Sequence, residues 1–353
     1  ASLLCGLCGI ALTMTLTPDA NASERLFGVG FSSSSTADPM GGRMRYSLWY
    51  PTEVSDGVVS VGPFEFPGTW DAEPATGPFG LVVLSHGSGG SDLGHRDTGI
   101  ALAKAGFIAA APLHPRNNFR DDIHDDRRIV LDGRPRQLSA VIDALLAQEA
   151  WSSRIDSKKI AAFGFSAGGY TVLAALGAER EYARTLDHCE RHAEEDPYCR
   201  IINGPGRAAR VRDYADPAQS AFDGRLRAAV IADPFTAPFS DEALAAMPPA
   251  KLLFFRPEVE DKLTAEFHAS RVVGVLRRRD DIPEPQEVLV PGAHHLSFLA
   301  PFPESVGRSL AGPEGFDAAA FNEEMTRRAA LHEDMNRTIV TFFKQALSDG
   351  MEN

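Results

Sequence analysis

Short uninterrupted apolar runs recur along the chain and alternate with stretches whose apolar positions fall three and four residues apart. Residues 80–85 (GLVVLS), 107–113 (FIAAAPL) and 160–165 (IAAFGF) are runs of the first kind. They predict strands buried on both faces, and the patterns between them predict helices over 97–105, 136–148 and 167–178. In the second helix Leu138, Val141, Ile142 and Leu145 form the apolar face. Residues 227–232, 251–255 and 287–290 predict further strands, and 317–347 a long C-terminal amphipathic helix. This alternation implies an α/β fold, a mostly parallel central sheet flanked by helices. Upstream, 44–50 alternates and stops at Pro51, which suits an early strand. The Ser- and Gly-rich residues 23–43 are expected to form a loosely ordered lead-in.

The rhythm breaks between residues 179 and 223, a charged stretch with no strand-like run. It is expected to be a small cap inserted over one end of the sheet. No internal repeat or low-complexity linker divides the chain, so residues 23–353 are expected to form a single domain. Residues 3–16 are apolar, followed by Pro18 and then Ala20-Asn21-Ala22. This pattern predicts a secretory signal peptide over 1–22, truncated at its start and cleaved after Ala22, and hence a secreted or periplasmic protein. An apolar stretch of about 14 residues is too short to span a bilayer, and no transmembrane segment is expected in the mature chain. Cys5 and Cys8 would leave with the signal. The remaining pair, Cys189 and Cys199, is then expected to form a disulfide in an oxidising compartment. His188 and His192 raise a zinc site as the rival, but the stretch lacks a C-x-x-C knuckle.

Composition narrows the function classes. The chain carries 35 Lys+Arg against 48 Asp+Glu, a formal charge of −13, which argues against a nucleic-acid partner. The basic cluster Arg277-Arg278-Arg279 is countered at once by Asp280-Asp281. A hydrophobic fraction of 44% suits a globular protein with a full core rather than a disordered chain.

The sharpest chemical signal is Gly164-Phe165-Ser166-Ala167-Gly168, set between an apolar strand and an apolar helix. A tight turn there exposes a serine hydroxyl above the sheet, and the glycines keep side chains from colliding. Ser166 is therefore the candidate nucleophile, and it needs a base. His294 and His295 follow the last predicted core strand, where such a base would fall. The third member should be a carboxylate at a strand end. Asp233 stands after the strand 227–232, and Glu258, Glu260 and Asp261 after the next one. The oxyanion of an acyl-transfer intermediate calls for backbone N–H donors. Ala167, directly after the nucleophile, and Ser88, in the turn Ser85-His86-Gly87-Ser88-Gly89-Gly90, are the candidates. That turn lacks the Lys-Ser/Thr of a P-loop and the spacing of a dinucleotide fingerprint, so a nucleotide site is not expected.

With these segments placed, the sequence resembles the α/β-hydrolase superfamily. More narrowly, it is similar to platelet-activating-factor acetylhydrolases and bacterial dienelactone-hydrolase-related serine esterases. The resembling blocks are GLVVLSHGSGG, LAKAGFIAAAPLHP, GFSAGG, AVIADPFTAPF with LLFF after it, and VPGAHHLSFLAPF. The resemblance implies Asp233 as the acid, with Glu260 the alternative, and selects His295 over His294 by its spacing from Gly292 and Phe298. It departs from the pattern at Phe165, where these relatives usually carry His. The serine at 166 also differs from the cysteine nucleophile of dienelactone hydrolases proper. The expected activity is hydrolysis of carboxylic esters through Ser166, His295 and Asp233 and an acyl-enzyme, on a small-molecule or lipid ester, without metal or organic cofactor. A phospholipase A2-like lipid-acetyl hydrolase is the alternative within this chemistry. A catalytically silent binding protein of the same fold is the alternative outside it.

Overall fold

The computed structural model describes residues 26–122, 129–202, 220–311 and 316–348. The expected signal peptide and its cleavage point lie outside the described residues, as does the part of the expected cap over 203–219. The four N-terminal strands are β1 (Gly28–Ala37), β2 (Arg43–Thr52), β3 (Gly57–Val61) and β4 (Phe64–Trp70). Six more follow: β5 (Phe79–Ser85), β6 (Phe107–Pro112), β7 (Ile155–Phe165), β8 (Leu226–Ala232), β9 (Lys251–Pro257) and β10 (Gln286–Val290). Together they form one ten-stranded sheet in the order β10-β9-β8-β7-β5-β6-β2-β1-β4-β3. Strands β5 to β10 run parallel to one another. Antiparallel pairings join β2 to β6, β1 to β2 and β3 to β4.

The continuous apolar runs become strands with a separate hydrophobic core on each face, because successive side chains point to opposite sides. Leu81 and Val83 of β5 join Ile160 and Ala162 of β7 in one core. Helices α2 (Arg134–Ala147), α3 (Ala167–Ala175) and α6 (Ala269–Leu276) cover it, with Leu138, Leu173 and Val273 among the packed residues. Val82, Leu84, Ala161 and Phe163 face the other way. There α1 (Arg96–Lys104) and the C-terminal α7 (Ala318–Ser348) close the second core through Leu102, Ile339 and Phe343. Among the described residues no helix is long and apolar enough to cross a membrane.

Within the lead-in expected over 23–43, Gly28–Ala37 instead form strand β1, paired with β2 along its whole length from Gly28↔Thr52 to Ala37↔Arg43. Val29 and Phe31 are buried, and the serines that follow alternate between exposed and half-buried. A serine run has weak strand preference of its own, and here the ladder offered by β2 decides its conformation. The β3–β4 hairpin was likewise not anticipated.

In the segment expected as the cap, the described residues form helices α4 (Ala183–Arg191) and α5 (Pro197–Ile202). The disulfide Cys189–Cys199 joins them, with the two Cα atoms 5.0 Å apart. Donor atoms of His188, Asp196 and Cys199 come within 4.8 Å of one another, but the Cys199 sulfur belongs to the disulfide. His192 pairs with Glu195 at 2.6 Å.

Candidate active site

Strand β7 ends at Phe165 and helix α3 starts at Ala167, so the turn between them is the single residue Ser166. Its backbone sits at φ +55° and ψ −116°, where a non-glycine residue is strained by about 1–3 kcal/mol. Neighbouring segments hold it there. The Ser166 N–H donates to the Ala232 carbonyl (3.0 Å), and its own carbonyl accepts from the N–H groups of Tyr170 (3.2 Å) and Phe235 (3.1 Å). The flanking glycines are obligatory: a Cβ on Gly168 would stand 1.9 Å from the Ser85 carbonyl oxygen, and one on Gly164 2.2 Å from that of Gly168.

Because β7, β8 and β9 are parallel, the residues that follow them emerge at one edge of the sheet, where ligand sites of open α/β sheets form. Asp233 follows β8 with φ +38° and is buried, its N–H donating to the Phe255 carbonyl at 2.8 Å. His295 opens a short 3-10 turn over His295–Phe298. Its Nδ1 lies 2.5 Å from Asp233 Oδ2 and its Nε2 3.1 Å from Ser166 Oγ. The carboxylate accepts a hydrogen bond from Nδ1–H, and in that tautomer Nε2 is the acceptor that faces the Ser166 hydroxyl. The Phe165 ring packs on the imidazole with centroids 4.7 Å apart.

The rival residues do other work. His294 Nε2 lies 3.3 Å from Glu324. Glu260 accepts the Ala265 N–H at 3.0 Å. Asp261 and Glu258 hold the histidine loop by its backbone, accepting the N–H groups of His295 and Gly292 at 2.8 Å each. His332 of α7 bonds the Ser297 carbonyl at 2.8 Å from the opposite side. The loop after Asp233 has its own brace: the Thr236 N–H donates to His268 Nδ1 (3.1 Å), and His268 Nε2 lies 2.9 Å from Asp196 Oδ2. Asp196 Oδ2 also meets His188 Nε2 at 2.7 Å. Burial pushes the Asp196 carboxyl upward, but the hydrogen bonds from His188 and His268 outweigh it and hold the group well below the usual carboxylate range. Burial keeps the His268 imidazole low and neutral despite that carboxylate. Apart from the local His188–Asp196 pair, these braces join segments tens of residues apart, which no local pattern in the sequence marks. The abundance of His and Asp near positions 188–196 and 258–268 was the only available hint.

The loop after β5 passes close to Ser166: a Cβ on Gly87 would be 3.4 Å from Ser166 Cβ. Ser88 is exposed there, and Ala167 supplies the first N–H of α3, where the helix dipole favours negative charge. Ser88, Ala167, Ser166 and His295 all border one cavity of about 950 Å³. Its walls include Phe64, Leu131, Phe235, Leu263 and Leu299, with Thr185 and Tyr198 contributed by the disulfide-bearing segment.

No family model matches the sequence, and no curated protein matches it. Among solved structures, the chain is similar to a ferulic acid esterase from Streptomyces cinnamoneus, with a TM-score of 0.58 and 18% identity over 94% of this chain and 92% of that one. At that identity the likeness concerns the fold, and together with the mostly parallel, helix-covered sheet it fits the α/β-hydrolase architecture.

Proposed function

We propose that this protein is a serine hydrolase of carboxylic esters. The observation that carries the reading is the aligned chain Ser166 Oγ–His295 Nε2 (3.1 Å) and His295 Nδ1–Asp233 Oδ2 (2.5 Å) at a strained turn bordering an apolar cavity. In this reading Ser166 Oγ attacks the acyl carbon while His295 Nε2 takes its proton, and the Asp233 carboxylate stabilises the imidazolium. The N–H groups of Ala167 and Ser88 receive the oxyanion. His295 returns the proton to the leaving alcohol as the C–O bond breaks. Water, deprotonated by the same imidazole, then releases the acid from Ser166 and restores its hydroxyl. The apolar walls favour an ester with a sizeable apolar acyl or alcohol part.

The narrower likeness to platelet-activating-factor acetylhydrolases and dienelactone-hydrolase-related esterases belongs to the same proposal, carried by the sequence blocks around Ser88, Ser166, Asp233 and His295. So does export, which the apolar stretch before Ala22 and the Cys189–Cys199 disulfide support.

The test is turnover of p-nitrophenyl esters of graded acyl length by the wild type and by Ser166→Ala. The wild type should hydrolyse them and Ser166→Ala should lose essentially all turnover. Equal hydrolysis by both, or none by the wild type across the panel, overturns the reading.

A further inference from the structure

Beneath the loop that carries Ser88 lies a buried polar chain that the triad does not use. Arg134, fully buried at the start of α2, donates from Nη1 to Asn117 Oδ1 at 2.7 Å and from Nη2 to the His86 carbonyl. Asn117, 2% exposed, donates from Nδ2 to Ser88 Oγ at 2.9 Å. The direction of this chain is set by chemistry. A guanidinium can only donate, so the amide oxygen of Asn117 must face Arg134 and its NH₂ must face Ser88. Ser88 Oγ therefore accepts from Asn117 and keeps its own proton to donate elsewhere. It is exposed, and it borders the cavity beside Ser166.

We propose that Ser88 stabilises the oxyanion through its hydroxyl as well as its backbone N–H, and that Asn117, held by Arg134, is the positioning residue that aims this hydroxyl. The proposal rests on the ester-hydrolase reading and adds a third donor to it. Donors aligned head to tail from a buried cation reinforce one another, so the Ser88 hydroxyl is a stronger hydrogen-bond donor toward an anion than that of a free serine. The Arg134 charge is felt locally: after burial, it is the second cause holding the neighbouring His86 and His114 imidazoles low. These two rings thus add no competing charge. No bond to Ser88 forms or breaks, and the hydroxyl only shortens its contact as negative charge develops on the carbonyl oxygen.

Ser88→Ala separates this role from the backbone one, since it removes the hydroxyl and keeps the N–H. Ester turnover and the inhibition constant of a trifluoromethyl ketone, which mimics the tetrahedral oxyanion, are measured on wild type, Ser88→Ala, Ser88→Thr, Asn117→Ala and the Ser88→Ala/Asn117→Ala double variant. Ser166→Ala serves as the control. Ser88→Ala should lower kcat by about 10²-fold with little change in KM and weaken the ketone by a similar factor. Ser88→Thr should recover most of the loss. Asn117→Ala should cost about tenfold alone and little more in the Ser88→Ala background, since the two act as one unit. Wild-type kcat in Ser88→Ala, with Ser166→Ala inert, overturns this proposal and leaves the ester reading intact. A kcat loss with unchanged ketone affinity overturns it too, since that pattern marks a purely structural residue. Turnover by Ser166→Ala would instead defeat the ester reading itself.

Discussion

A carboxylate can serve a histidine in two ways, and the residues around His295 separate them. Asp233 meets the imidazole at Nδ1, where it selects the tautomer and would balance the charge that forms there. Asp261 meets only the backbone N–H, where it sets the position of the loop. Glu260, the acid that sequence left as the alternative, bonds the Ala265 N–H instead. Asp233→Asn is therefore expected to lower kcat by about 10⁴-fold, as expected when the wrong imidazole tautomer is held. Glu260→Gln should stay within a few-fold of wild type; measured ester kinetics showing the reverse order would transfer the role to Glu260. At this scale the elbow was legible in the sequence, because a one-residue turn between strand and helix leaves room only for glycine at Gly164 and Gly168. The choice between acids was not legible, since β8 and β9 end side by side and a carboxylate after either strand is equally local in sequence.

Elements were legible in proportion to how far their pattern came from burial. The strands β5 to β9 lie near their expected positions, because a strand covered on both faces must be apolar throughout. β1 was missed: its Ser33 and Ser35 reach solvent, so its conformation comes from the pairing with β2 rather than from an apolar signature. Helices α4 and α5 present a related case. They are short, and the core of their own consists of Leu186, Cys189 and Cys199 with Tyr198 against it. The disulfide closes a loop with a sequence separation of 10, and a cross-link of this span restricts the unfolded chain by about 2–3 kcal/mol. The Cys189→Ala/Cys199→Ala double variant is expected to lose about that much in a denaturant titration. Tyr198 and Thr185 border the cavity, so the same variant should change KM for long acyl esters more than for short ones. An unchanged midpoint together with an unchanged chain-length profile would show that the cross-link supports neither stability nor the cavity wall.

Across the whole molecule, the buried histidines tie stability to pH. His86, His95, His114 and His268 are buried, and desolvation is the first cause that holds each imidazole below its ordinary value, His95 at about 3. In the unfolded chain each regains a pKa of about 6.5. Below that pH the unfolded state binds protons that the folded state refuses, so stability falls as the pH drops. The slope is up to about 1.4 kcal/mol per pH unit for each such histidine. Thermal unfolding should therefore move to lower temperature between pH 7 and pH 5, and His95→Phe, which keeps the ring contact with Phe163 and Phe165, should flatten that fall. A midpoint independent of pH over this interval would contradict the burial argument.

The sequence by itself determined where the parallel strands lie, that helices cover them, and which serine stands at a turn so tight that the residues two positions to either side must be glycine. Those properties are written in local patterns, because burial and tight turns constrain the residues that experience them. Only the tertiary structure decided which carboxylate faces His295, that Asp261 and His332 brace its loop, and that Arg134 reaches Ser88 through Asn117. These are contacts between segments 17 to 62 residues apart, made by side chains whose types are common on any surface. Nothing in a residue's own neighbourhood along the chain marks such a partner, and only the packing of strands, helices and loops in the folded chain brings the two together.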